Sequence, residues 1–186
     1  MGAGVLPVAL YRGTLFLLLG QERDNNLWSD FGGGSHKGEK PFKTGIREGT
    51  EELNGFFGTE EELEEEVNNN MVLSICYEKY TTYIFRTKYS KDLPKYFSNN
   101  NKLIEKHASN IINTKANRQV IGLYEKKNIA WFPINKFYME TDIMKNKSMK
   151  NIGMLRTHYQ EHIMSIVKNE KFIINHIKGF DEVENR

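Results

Sequence analysis

Cysteine is almost missing from this chain. One cysteine, Cys76, among 186 residues cannot close an intrachain disulfide or build a cysteine zinc cluster. It fits a reducing compartment, so a cytoplasmic location is expected. An excess of charge of one sign is missing as well. With 26 basic residues against 24 acidic ones the net charge is +2, so no global field draws the chain to DNA and any attraction for anions must be local. Long apolar runs are also absent. MGAGVLPVALYRGTLFLLLG at the N-terminus is apolar, but Arg12 and Gly13 cut it into two runs of strand length. Each is too short to span a bilayer, and no basic leader precedes an apolar core, so no membrane partner is expected. Internal repeats and long linkers are absent, and at this length a single domain over residues 1–186 is expected.

What is present reads as alternating strands and helices. Residues 4–11 and 14–20 form a hairpin signal around Arg12-Gly13, and MVLSICYEKY and TTYIFRTKYS are rich in β-branched and aromatic residues. VIGLYE and IAWFPI, split by Lys126-Lys127-Asn128, look like a further pair of strands. Lys43–Leu53 favours a helix stopped at Asn54-Gly55, although Gly45 and Gly49 each cost about 1 kcal/mol relative to Ala. Thr59 and Glu62 make a capping box for a second helix, whose glutamates from Glu60 to Glu66 form a solvated face. Phe97, Leu103, Ile104, His107 and Ile111 suggest a helix or an insertion covering the sheet, within a segment, 89–118, where substrate selection is expected to reside. Ile152, Leu155, Tyr159, Ile163 and Ile166 fall on one helical stripe. The fold class expected is α+β, a mixed sheet flanked by helices.

The chemistry concentrates in GGGSHKGEKPFKTGIREGTEELNG, residues 32–55. Gly33 and Gly38 have the spacing of a phosphate-binding loop, but Glu39 and Lys40 stand where Lys and Ser or Thr are required, and no G-x-G-x-x-G precedes the helix. Nucleotide-cradling loops of those two kinds are therefore excluded. Glu48, Glu51 and Glu52 stand at i, i+3 and i+4, on one helix face with Cβ atoms about 5–6 Å apart. Each like-charged pair then repels by roughly 3 kcal/mol at an effective dielectric of 20 and by less than about 1 kcal/mol in bulk water. A solvated face tolerates such a set; a cleft needs cations, and oxygen-only ligands suit Mg²⁺ or Mn²⁺.

The glutamates are in register with their neighbours: Gly33, five residues, Glu39, seven residues, Arg47-Glu48, two residues, Glu51-Glu52. Six fixed matches would arise by chance with probability on the order of 10⁻⁵. This arrangement is similar to the Nudix box, Gly-x5-Glu-x7-Arg-Glu-U-x-Glu-Glu-x-Gly-U with U aliphatic. LLLGQER, Trp28 and Gly32-Gly33 before it resemble the usual lead-in of that family. The chain departs from the box at Gly49, Asn54 and Gly55, and has Phe31 where a proline is familiar. Gly49 removes a side chain that would enter the core, and a bulky residue of the NGFFG turn is the expected compensation.

The resemblance implies an αβα sandwich around a mixed sheet and a Mg²⁺- or Mn²⁺-dependent hydrolase of phosphoanhydride bonds. It makes Glu48, Glu51 and Glu52 metal ligands, together with the carbonyl of Gly32. Arg47 would hold the helix carboxylates, and Glu39 would brace the loop that begins at Gly33. The base that takes the proton from water would be Glu48 or Glu125. Trp28 is a candidate for stacking on a base, and Lys37 for meeting phosphate. The implied partner is a diphosphate-containing small molecule, such as a nucleoside triphosphate, a dinucleoside polyphosphate or a nucleotide sugar. RNA caps and diphosphoinositol polyphosphates come second, and a nucleotide-binding module without catalysis is the reading from another class. HYQEH, residues 158–162, offers a competing zinc pattern in which His158 and His162 share a helix face.

Overall fold

The computed structural model describes residues 1–109, 122–140 and 147–184. The two N-terminal apolar runs are strands β1 (Gly2–Tyr11) and β2 (Thr14–Glu22), paired antiparallel. Arg12 (φ 51°) and Gly13 (φ 77°) between them are both left-handed, as a two-residue hairpin turn requires. Short strands β3 (Trp28–Ser29) and β4 (Phe31–Gly34) lead into helix α1 (Pro41–Glu52), followed by α2 (Glu60–Asn70). Strands β5 (Met71–Tyr77) and β6 (Tyr80–Arg86), helix α3 (Leu93–His107) and strand β7 (Lys126–Pro133) come next. A small hairpin, β8 (Tyr138–Glu140) with β9 (Lys147–Met149), precedes α4 (Gln160–Lys168) and α5 (Glu170–Glu184).

Strand order in the main sheet is β3-β2-β1-β6-β5, with β7 on β2 and β4 on β1. β1 runs parallel to β6 and antiparallel to β2 and β4, so the sheet is mixed, as expected. β1 also changes partner along its length, pairing with β4 over residues 2–5 and with β2 over residues 8–11. Side chains alternate between the two faces. Val5, Leu18 and Phe85 pack with Ile46 of α1, Leu63 and Val67 of α2 and Phe97 of α3. Leu6, Leu17 and Leu19 pack on the opposite face with Ile163 and Ile166 of α4 and Ile173 and Ile177 of α5. The result is the helix–sheet–helix layering that the Nudix resemblance implies.

Several local expectations hold. Thr59 and Glu62 form the reciprocal capping box, Glu60, Glu61, Glu62 and Glu65 of α2 are exposed, and Asn54 (φ 52°) and Gly55 (φ 70°) end α1 in the left-handed region. Others are corrected. Lys126–Asn128 does not divide two strands but belongs to β7, and residues 122–125 are irregular. A lysine enters the strand because its ammonium has carboxylate partners in Glu22 and the buried Glu52, which a charge-based strand boundary overlooks. The stripe from Ile152 to Ile166 is not one helix. Leu155 is extended between two 3₁₀ turns and α4 begins at Gln160, although Leu155, Tyr159, Ile163 and Ile166 all reach the core. In the segment 89–118, α3 covers residues 93–107, and positions from 110 lie outside the described residues.

Gly45 and Gly49 let α1 settle onto the sheet. A Cβ at Gly49 would fall 2.5 Å from Val5 Cγ2 and 3.2 Å from Leu63 Cδ2. The bulk missing at Gly49 is thus supplied by Val5 and Leu63, not by the NGFFG turn, whose Phe56 and Phe57 pack against Phe97 and Phe85 instead. Close approach of α1 to β1 and β4 is what places its carboxylates beside the glycine strand. Among the described residues no helix is long and apolar enough to cross a membrane.

Candidate active site

Arg47 organises the box. Its Nε and Nη2 donate to the two carboxylate oxygens of Glu39 (3.0 and 3.1 Å), Nη2 donates to the Gly34 carbonyl (3.0 Å), and Nη1 donates to Glu48 (2.9 Å) and Glu51 (3.4 Å). One guanidinium therefore ties the loop to two carboxylates of α1, and the planar fork suits it to this bidentate duty. Glu39 also accepts from the His36 N–H and the Thr44 hydroxyl, both at 2.9 Å. Its hydrogen bonds, first of all to Arg47, lower its carboxyl to about 2. Glu48 lies against the backbone of Gly33, where a Cβ would come within 2.4 Å of its Oε2. Gly33 is thus needed for close approach.

No protein-family model matches the chain, and no curated protein matches it. Among solved structures it is similar to a C. elegans Ap4A hydrolase binary complex, at 18% identity over 73% of this chain and 81% of that one, with a TM-score of 0.43. It is also similar to the Nudix domain of Shewanella oneidensis NrtR complexed with ADP ribose, at 11% identity over 90% and 86%, with a TM-score of 0.42. A third is RenU, a Nudix hydrolase from M. smegmatis, at 10% identity over 91% and 85%, with a TM-score of 0.41.

Glu52, one turn on from Glu48, is buried at 4% exposure. It accepts the Gly32 N–H at 2.7 Å and faces the Lys126 ammonium at 3.3 Å. Lys126 is fully buried, bonds Ser29 Oγ at 2.9 Å and lies nearer still to Glu22, which in turn accepts from Arg156 Nη1 at 2.9 Å. Burial alone would push Lys126 down, but Glu52 and Glu22 beside it hold it above its ordinary value. Burial likewise pushes Glu52 well up, and the like charges of Glu22 and Glu125 add to this against the pull of Lys126. Because Glu22 takes the closer contact with the shared ammonium, Glu52 is left under-compensated.

Glu22 and Glu52 line a cleft of about 320 Å³ together with Asp24, Asn25, Gly32 to Gly34, Glu48, Glu125 and Arg156. Among the described residues of this lining, five carboxylates accompany one partly exposed guanidinium, an imbalance that suits a hard cation with oxygen ligands. Among the described residues no three His, Cys, Asp or Glu side chains converge as a ready ligand set; Arg47 holds Glu48 and Glu51 while Lys126 faces Glu52. The donor set fits Mg²⁺ or Mn²⁺ in chemistry, and its convergence requires side-chain rotation.

The structure brings Gly32, Gly33, Glu48, Glu52 and Glu125 to one cleft, with Glu39, Arg47 and Glu51 beside it. Glu125 is placed there by a clamp. Asn54 Oδ1 accepts the Tyr124 N–H at 2.9 Å, and Asn54 Nδ2 donates to Asn101 at 3.1 Å. Asn101 in turn donates to the carbonyls of Lys126 (2.9 Å) and Lys127 (3.0 Å). The departure from the box glycine thus pins the chain on both sides of Glu125. Gly122 lies over the box helix where a Cβ would meet the Glu51 carboxyl carbon at 2.5 Å.

Trp28 and Lys37 are not among the residues lining the cleft. Trp28 is half-buried, its indole edge-on to Phe132 at 4.8 Å, and Lys37 is exposed in the loop after β4. The zinc pattern is corrected too. His158 lies in a 3₁₀ turn ahead of α4, so the histidines share no helix face, and His162 is fully buried with Nδ1 3.2 Å from the Thr82 hydroxyl. That hydroxyl donates to Asp30 at 2.7 Å, and burial lowers His162 to about 4. Sequence reasoning missed Glu22, Lys126 and Arg156. Glu22 stood within LLLGQER, and a lysine amid VIGLYEKKNIAWFPI was a signal of burial with a partner; Arg156 carried none.

Proposed function

We propose that this chain is a divalent-metal-dependent Nudix-type hydrolase that cleaves the phosphoanhydride bond of nucleoside-diphosphate-linked compounds. The observation that carries this reading is the Arg47 hub, which joins Glu39, Glu48, Glu51 and the Gly34 carbonyl. A solvated acidic helix needs no such fixation. Glu48, Glu51, Glu52 and the Gly32 carbonyl would hold Mg²⁺ or Mn²⁺, which supplies charge neutralisation at the phosphate oxygens and a more acidic water. Arg47 keeps two of those carboxylates aimed along the helix, and Lys126 favours the ionised form of Glu52. Glu48 and Glu125 both line the cleft, and either can take the proton as water adds to phosphorus and the bridging P–O bond breaks.

The test is incubation with a panel of nucleoside triphosphates, dinucleoside polyphosphates, nucleotide sugars, capped RNA and diphosphoinositol polyphosphates in ¹⁸O-labelled water. Product masses name the bond cut and the phosphorus attacked. Of Glu48→Gln and Glu125→Gln, removal of the base lowers kcat by about 10²- to 10⁴-fold. Absence of labelled product across the panel refutes the proposal in favour of a binding module.

A further inference from the structure

We propose that Arg156 is the anion-receiving residue of the cleft, a substrate-binding guanidinium that takes phosphate oxygens and is positioned by Glu22. This rests on the hydrolase reading for its substrate class, a chain of two or more phosphates. Among the described residues that line the cleft, Arg156 is the one cation, and the others include Glu22, Asp24, Glu48, Glu52 and Glu125. A polyanion entering that cleft needs a positive group to meet it, and the buried Lys126 is already shared between Glu22 and Glu52.

The geometry is that of a built site. Arg156 donates only Nη1, to Glu22 Oε1 at 2.9 Å, and among the described residues no partner takes its Nε or Nη2. Its backbone is fixed. The N–H donates to the Trp28 carbonyl at 3.0 Å, Leu155 before it is buried and bridges to Trp28, and its carbonyl accepts from the Tyr159 N–H at 2.8 Å. Its side chain is 34% exposed, open enough to meet a ligand and held enough to have an address. Glu22 is anchored in turn by Lys126 and by the Ser29 hydroxyl at 3.2 Å. A planar guanidinium with donors to spare matches phosphate oxygens bidentately, whereas a lysine at the same place offers one point charge.

The experiment is calorimetric titration of inorganic tripolyphosphate into the full chain in excess Mg²⁺, with Mg²⁺ alone titrated separately. Arg156→Ala is expected to weaken tripolyphosphate binding about 10- to 100-fold, the effect of a lost charge-assisted contact. Mg²⁺ binding should stay within about twofold, and with a cleaved panel compound KM should rise while kcat stays within about threefold. Arg156→Lys, which retains a cation for Glu22, is expected to weaken tripolyphosphate binding about fivefold or more and carries the test if the alanine variant does not fold. Unchanged tripolyphosphate binding in both variants overturns the proposal. An equal loss of Mg²⁺ affinity also overturns it, since Arg156 would then act through the carboxylates. If no panel compound is cleaved while tripolyphosphate binding still depends on Arg156, the hydrolase reading fails and this inference stands.

Discussion

Replacing Glu39 by Gln keeps the shape of the side chain and removes the charge that four donors converge on. Those donors are the His36 N–H, the Thr44 hydroxyl and two nitrogens of Arg47. They hold the folded carboxyl at about 2, against about 4.3 in an unfolded chain, and at 1.36 kcal/mol per unit the unscreened contribution is about 3 kcal/mol. Glu39 sits at the solvent edge of the loop, so screening reduces this to about 1–2 kcal/mol. Because the folded value is depressed, the stabilisation is complete above the unfolded value and is lost as pH falls through about 2. Urea unfolding of Glu39→Gln at pH 7 should therefore show a loss of about 1–2 kcal/mol, and at pH 3 less than about half of that gap should remain. A gap that is the same at both pH values, or absent at pH 7, refutes the assignment of Glu39 as an ionised brace.

Lys126→Met leaves Glu22 and Glu52 without their shared ammonium. The expected loss is about 3–5 kcal/mol, read from urea unfolding at pH 7, and a neutral result would mean that the buried network is not formed. Gly49→Ala gains about 1 kcal/mol of helix propensity and forces a 2.5 Å contact with Val5. With overpacking at about 1–3 kcal/mol, the net effect should be a loss of about 1 kcal/mol together with slower turnover, as the α1 carboxylates move off the glycine strand. Stability equal to or above wild type would show that α1 rides higher on β1 than described.

Strands β1, β2, β5 and β6, the helices α1 and α2 and the box itself were legible because each is written locally: Arg12-Gly13 as a turn, Thr59 and Glu62 as a cap, the Arg47–Glu52 spacing as a helix face. What was not legible is held by distant partners. Lys126 enters a strand because Glu22, 104 residues away in sequence, accepts its ammonium. Asn54 looked like a damaged box position, yet its amide reaches Tyr124 and Asn101 and turns a lost glycine into a clamp on Glu125. Gly49 looked like a hole, and Val5 and Leu63 fill it from elements that spacing does not connect. The stripe from Ile152 to Ile166 gave the right buried face and the wrong backbone, since periodicity reports which side chains are buried more securely than whether the chain between them is helical.

The most direct test of the metal-dependent hydrolase is the rate of Mg²⁺-dependent cleavage by Glu52→Gln beside the wild-type protein, at matched folded concentration on the compound that the wild type cleaves best. Glu52 accepts the Gly32 N–H and faces Lys126, so the amide fits the same space without the charge that a cation requires. The account predicts cleavage reduced by at least about 10²-fold, with the fold retained. Cleavage at the wild-type rate would contradict it, because the acidic face of α1 would then be structural and the chemistry would lie elsewhere.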